Sequence, residues 1–191
     1  GVEVKCGAPA PSVAELKKMG YTHILLATGA WQAGELGIPG NVRGVIAWMK
    51  EMKQQVKPCL EGHVVVVGAG NTAMDAARVA KRMGAASSTI VYRRTKKEMP
   101  ADEHELKLAI DEGVNLVELA APVEQKDGKL ICNQMKLGEP DASGRRSPVA
   151  TGETFEIPCD LVLSAIGEKV DAKLMAENGI EMGRKGPAFQ T

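Results

Sequence analysis

The run His63-Val64-Val65-Val66-Val67-Gly68-Ala69-Gly70-Asn71-Thr72-Ala73 decides how the rest of the chain reads. Four consecutive valines suit a strand buried on both faces, as in a parallel sheet covered on each side. They run directly into Gly-x-Gly-x-x-Ala, the turn that delivers a dinucleotide's pyrophosphate to a helix N-terminus. The two glycines are needed for different reasons. Gly68 permits the tight turn, whereas Gly70 has no Cβ and lets phosphates lie against the backbone, where unpaired N–H groups and the positive helix end face them. Ala73 stands in the third glycine's place and still allows the helix to pack closely on the strand.

Residues 71–83 predict a helix with Ala73, Ala76, Ala77 and Ala80 forming a small-residue face toward the sheet, and Arg78 and Arg82 on another face. Gly84 ends it, and residues 88–92 predict a second strand. Strand, turn, helix and strand are complete within about 30 residues, the span this motif requires. The candidate cofactor-binding residues here are Gly68, Ala69, Gly70, Asn71, Thr72 and Ala73. For the Asn71 and Thr72 side chains, contact with phosphate and capping of the helix are both open.

The end of the second strand selects the dinucleotide. An Asp or Glu there bonds a ribose 2′-hydroxyl, whereas an arginine accommodates a 2′-phosphate. This chain has Arg93 and Arg94, no carboxylate between Met83 and Arg94, and Lys96 and Lys97 following. Arg93 and Arg94 offer paired N–H bonds and a plane to stack on adenine, and Lys97 offers a point charge. A solvated basic loop is the alternative for these three residues. The expectation is NADPH in preference to NADH.

The composition bounds what remains. The chain has 191 residues, 44% of them hydrophobic, enough for one large domain or one and a half. Lys plus Arg equal Asp plus Glu at 24 each, which leaves no basic excess for nucleic acid or a membrane surface. No apolar run approaches the roughly 20 residues of a membrane-spanning helix, and a cytoplasmic setting is expected. Cys6, Cys59, Cys132 and Cys159 form no Cys-x-x-Cys, and His23, His63 and His104 have no partners at ligand spacing, so neither a metal centre nor a dithiol pair is expected.

Taken in order, residues 2–6 alternate like a short strand. Ser12-Val13-Ala14-Glu15 is a capping box opening a helix that Gly20 closes, and residues 21–28 read as an apolar strand ending at Thr28-Gly29. Gly37-Ile38-Pro39-Gly40 breaks the chain, residues 42–56 read as an amphipathic helix, and residues 58–62 lead into the valine strand. Beyond Arg94, Met99-Pro100-Ala101 is a turn, and Asp102 caps a helix running to about Glu112. Residues 114–119 read as a strand. Residues 123–126 and 130–137 around Asp127-Gly128 form a hairpin that Phe155 and Ile157 extend. Residues 138–152 read as a mobile loop, and residues 160–167 as a buried strand ending in glycine.

Together these segments resemble one family. Tyr-Thr-His-Ile-Leu-Leu-Ala-Thr-Gly from Tyr21, Ile38-Pro39-Gly40, Gly-Ala-Gly-Asn-Thr-Ala-Met-Asp-Ala-Ala-Arg from Gly68, Val91-Tyr92-Arg93-Arg94, Glu98-Met99-Pro100-Ala101 and the strand from Asp160 to Gly167 follow one another as in flavin-dependent pyridine-nucleotide oxidoreductases. More narrowly, the chain is similar to the glutamate synthase small subunit group, whose relatives include selenate reductase iron-sulfur subunits and the amino-terminal part of dihydropyrimidine dehydrogenase. The resemblance implies a Rossmann-like α/β NADPH-binding domain with a parallel sheet and an added β-hairpin, flanked by segments of a split FAD-binding domain. Residues 1–40 would be a partial FAD-domain segment, 41–160 the NADPH-binding domain, and 161–191 a return segment, with Ala27-Thr28-Gly29 and Ala165-Ile166-Gly167 marking the crossings.

The chain begins at Gly1, in what reads as the middle of such a fold, so an excised fragment is expected. It would bind NADPH, while FAD and iron-sulfur clusters are held mainly by partner domains of a parent protein. The mechanism implied is hydride transfer to flavin, then electrons passed singly onward. No catalytic side chain is expected here, and Gly167 would either approach the nicotinamide ribose or only end a strand. A self-contained dehydrogenase fits poorly, because the chain lacks a Tyr-x-x-x-Lys pair. A non-catalytic dinucleotide sensor is the alternative, since sensing uses the same glycine turn.

Overall fold

A computed structural model describes every residue except 58, 143, 184, 185 and 188–191. Pro58 at the approach to the valine strand, Ser143 in the expected loop and much of the end of the expected return segment lie outside the described residues. The chain divides into two compact units, Ala33–Glu168 and a unit built from Gly1–Gln32 with Lys169–Thr191.

In the second of these, α1 (Val13–Lys18) opens with the expected capping box, in which the Ser12 hydroxyl accepts from the Glu15 amide. Asp171 caps a later helix, Ala172–Glu177, and the Val13 amide donates to Asn178 Oδ1 at 2.9 Å, tying the first and last segments together. Residues 2–6 and 21–28, expected as strands, form none. Val2, Val4 and Leu25 are 89%, 75% and 87% exposed, so these apolar runs have neither a buried face nor a neighbouring ladder to hold them as strands.

Ala33–Glu168 is built from β1 (Val42–Gly44), α2 (Val45–Met52), β2 (His63–Val67), α3 (Asn71–Arg82), β3 (Ser87–Val91), α4 (Glu103–Asp111), β4 (Asn115–Val117), β5 (Ala120–Lys126), β6 (Lys129–Pro140), β7 (Arg146–Pro158) and β8 (Leu161–Ser164). A five-stranded sheet has the order β1-β8-β2-β3-β4, and all its pairs are parallel. The valine run behaves as its composition demands. Val64 and Val66 pack with Trp48, Met74, Ala77 and Ala80 of the helical layer, while Val65 and Val67 face Leu130, Cys132 and Cys159 on the other side. That second covering layer is the antiparallel sheet β5-β6-β7, so the unit stacks helices, parallel sheet and hairpin sheet. Burial pushes the Cys132 and Cys159 thiols up to about 11 and about 12, leaving both protonated and inert.

Two expectations inside this unit are corrected. Residues 42–56 do not form one helix: β1 takes the first three, pairing with Val162, Leu163 and Ser164, and α2 starts at Val45 after Gly44. Residues 138–140 and 146–152 are not loop but the outer arms of the hairpin, with Leu137 opposite Pro148 and Pro140 opposite Arg146. These arms are largely exposed, so no apolar alternation marks them, and the Arg146 guanidinium helps hold them by donating to the Gly138 and Leu137 carbonyls at 2.8 and 3.1 Å. Among the described residues no helix is long and apolar enough to cross a membrane.

Candidate functional site

In an open α/β sheet, ligands settle outside the carboxyl ends of the strands, where the strand order reverses. Here the chain moves from β2 outward to β3 and β4 and later returns to insert β8 on β2's other side, so the reversal lies between β2 and β8. A cavity of about 620 Å³ opens there. One wall is the glycine turn, from Gly68, Ala69, Gly70 and Thr72. A second comes from Tyr92 and Arg93 after β3, and a third from Ala165, Ile166, Gly167 and Glu168 after β8.

The turn's geometry separates the roles of its two glycines. Gly68 has φ +146°, and a Cβ there would stand 2.3 Å from the Ala165 carbonyl oxygen, closer than atoms can approach. Gly70 has φ −89°, and a Cβ there would meet nothing within 4 Å. Gly70 is also the N-cap of α3, and no side chain caps the helix, so the first N–H groups and the positive end of the dipole face the cavity. Ala73 is fully buried against the sheet, as the close packing of strand and helix requires. The cradle is the shape and polarity that a pyrophosphate needs.

The basic residues divide. Arg93 is exposed and lines the cavity, and no carboxylate pairs with it among the described residues. Arg94 points elsewhere: it is 8% exposed and its Nε is buried without a partner. Lys97 is exposed and is not among the lining residues. Asn71 does not line the cavity either, because its Oδ1 accepts from the Asp102 amide at 2.9 Å. Thr72 does line it. On the far wall the Gly167 carbonyl accepts from the Gly34 amide at 2.8 Å, which fixes the backbone where the cavity continues past the turn.

Sequence reasoning missed several lining residues. Pro100 arrives because the Ala101 amide donates to the Ala69 carbonyl at 3.0 Å, folding residues 95–101 back onto the turn; the Met-Pro-Ala motif was the available signal. Ala120, Ala121 and Pro122 at the start of β5 close another side, and nothing in their local sequence marks them. Within that returning segment, the Thr95 hydroxyl and amide both donate to the Glu98 carboxylate and hold it below the usual carboxylate range. His63 is structural, with Nδ1 2.8 Å from the Ser87 hydroxyl. Among the lining side chains only Thr72, Tyr92, Arg93 and Glu168 carry polar atoms. The arrangement therefore offers binding and orientation for an elongated anion, with a cation at one end and a backbone cradle in the middle.

The profile of the family described as pyridine nucleotide-disulphide oxidoreductase matches residues 3–189. The chain is similar to the NADPH-Fe(3+) oxidoreductase subunit beta of Geobacter sulfurreducens, 40% identical over 187 residues that cover 90% of this chain and 28% of that protein. It is also similar to the glutamate synthase [NADPH] small chain of Azospirillum brasilense, 34% identical over 178 residues, covering 82% of this chain and 36% of that one. Among solved structures, FprA of Mycobacterium tuberculosis in complex with NADPH superposes with a TM-score of 0.65 at 18% identity, over 83% of this chain and 52% of that chain, a likeness of fold. The chain spans between 19% and 39% of the length of the curated relatives it matches.

Proposed function

The chain belongs to the pyridine nucleotide-disulphide oxidoreductase family, and we propose that its Ala33–Glu168 unit is the NADPH-binding module of a flavin-dependent oxidoreductase, glutamate synthase-like or selenate reductase-like. The observation that carries this reading is that one cavity at the carboxyl ends of parallel strands is lined by the glycine turn, by Arg93, which has no carboxylate partner among the described residues, and by Gly167. On this reading the turn and the uncapped end of α3 hold the pyrophosphate, Arg93 holds the 2′-phosphate, and the backbone at Gly167 receives the nicotinamide ribose. The open space at Gly70 is where the phosphates approach the chain.

When bound, such a dinucleotide supplies a hydride, here for FAD, with electrons passing on to iron-sulfur centres and a distant acceptor in partner domains of the parent protein. The residues of this chain fix the ligand's position and direction, and the cavity's side chains include no pair suited to abstracting a substrate proton. On this reading residues 1–32 and 169–191 belong to the FAD-binding domain, the isolated chain is inactive in turnover, and the setting is cytoplasmic.

Arg93→Ala tests the reading. The loss of a charged hydrogen-bond partner is expected to weaken NADPH binding by about 1.5–3 kcal/mol and to leave NADH, which has no 2′-phosphate, unchanged. Equal losses for the two nucleotides, measured by calorimetry, would contradict it.

A further inference from the structure

The motif Glu98-Met99-Pro100-Ala101 bridges the two ends of the phosphate-binding half of the cavity. Its root is rigid: the Tyr92 amide donates to the Val117 carbonyl, the Ala120 amide to the Tyr92 carbonyl and the Leu119 amide to the Arg94 carbonyl, each at 3.0 Å, so the backbone on both sides of Arg93 is held by neighbouring strands. From there residues 95–101 turn back on themselves. Thr95 donates to the Glu98 carboxylate from its amide at 3.0 Å and its hydroxyl at 2.5 Å, and the Lys96 amide donates to the Glu118 carboxylate. The Tyr92 hydroxyl donates to the Glu98 carbonyl at 2.8 Å. The far end is fastened to the glycine turn twice, by Ala101 N–H to the Ala69 carbonyl at 3.0 Å and by Asp102 N–H to Asn71 Oδ1 at 2.9 Å.

We propose that residues 95–101 are a spacer that sets the separation between the Arg93 guanidinium and the glycine turn, with Thr95, Glu98 and Asn71 as positioning residues that select the 2′-phosphorylated dinucleotide. This rests on the reading of the cavity as an NADPH site. A ligand held at two points gains from the second only when the two are fixed at the separation it spans, because a loose second point must be ordered at the ligand's expense. NADPH engages both points. Of these two points NADH engages only the turn, so a slack spacer costs it nothing. Asn71 thus acts on the nucleotide through the spacer, since its side-chain carbonyl is committed to Asp102.

Dissociation constants for NADPH and NADH, measured on the wild-type chain, Thr95→Val, Asn71→Ala and the double variant, test this. Thr95→Val keeps the branched shape and removes only the hydroxyl that reaches Glu98, and thermal unfolding followed by circular dichroism checks that each variant is folded. Each single variant is expected to weaken NADPH about 2- to 12-fold, the worth of one hydrogen bond, and to leave NADH unchanged. The double variant is expected to lose less than the product of the two, because either cut already slackens the same segment. The spacer is overturned if NADPH binding is unchanged, if NADH weakens in parallel, or if the two losses multiply. Failure of the wild-type chain to bind NADPH, or loss of no selectivity in Arg93→Ala, overturns the NADPH reading itself and this inference with it; selectivity lost in Arg93→Ala but kept in the spacer variants overturns the spacer alone.

Discussion

Gly68 and Gly70 are two residues apart and fail in opposite ways when replaced. A side chain at Gly68 meets both a positive φ and the Ala165 carbonyl at 2.3 Å, so Gly68→Ala is expected to destabilise the fold by about 1–3 kcal/mol or more, read from denaturant unfolding. A side chain at Gly70 enters open space at a φ any residue adopts. Gly70→Val is expected to unfold within about 1 kcal/mol of wild type, the difference between N-cap residues, while binding of NADPH and NADH is lost. Binding retained in Gly70→Val would remove the turn from the site. The turn was legible in the sequence because glycine is there for backbone reasons that residue type alone expresses. The division of the basic run was not. Arg93, Arg94 and Lys97 are equivalent as sequence, and only the direction of the chain after β3 puts Arg93 at the cavity and turns Arg94 inward.

At the scale of elements, α3 and α4 are joined by the residues that the helical pattern had placed away from the sheet. Arg78 donates to Glu112 and Glu105 at 2.9 and 3.2 Å, and Arg82 donates to both oxygens of Glu112. The Arg82 and Arg78 hydrogen bonds hold the Glu112 carboxyl below its ordinary 4.5. A depressed folded-state pKa means that the stabilisation is complete above the ordinary value and is lost as pH falls through the folded one. Glu112→Gln is therefore expected to melt lower than wild type at pH 7, by a difference worth about 1 kcal/mol or less, and the gap is expected to narrow as the pH falls below 4.5. A gap that persists in acid would assign the loss to packing. β2 was legible because burial on both faces writes a continuous apolar run, and α3 and the capped α4 because burial on one side writes a period into the sequence. The hairpin arms were not, since residues 138–140 and 146–152 have little buried face and are held by pairing that composition does not record.

Across the whole molecule, the apolar residues divide by unit. Ala33–Glu168 buries its valines and alanines between two covering layers, whereas Val2, Val4, Leu25 and Trp31 of the other unit are each at least 73% exposed. The strands expected at residues 2–6 and 21–28 were read from alternation alone, and alternation makes a strand only where a neighbour supplies the ladder. Family membership was legible from several short motifs in order, along a chain that spans between 19% and 39% of the length of the curated relatives it matches. The cavity is proposed to take a dinucleotide and to distinguish it by a 2′-phosphate. Calorimetric titration of the chain with NADPH and NADH side by side tests this most directly. NADPH is predicted to bind about 10- to 150-fold more tightly, the worth of one charged contact, and equal affinities, or no binding of either, would contradict it.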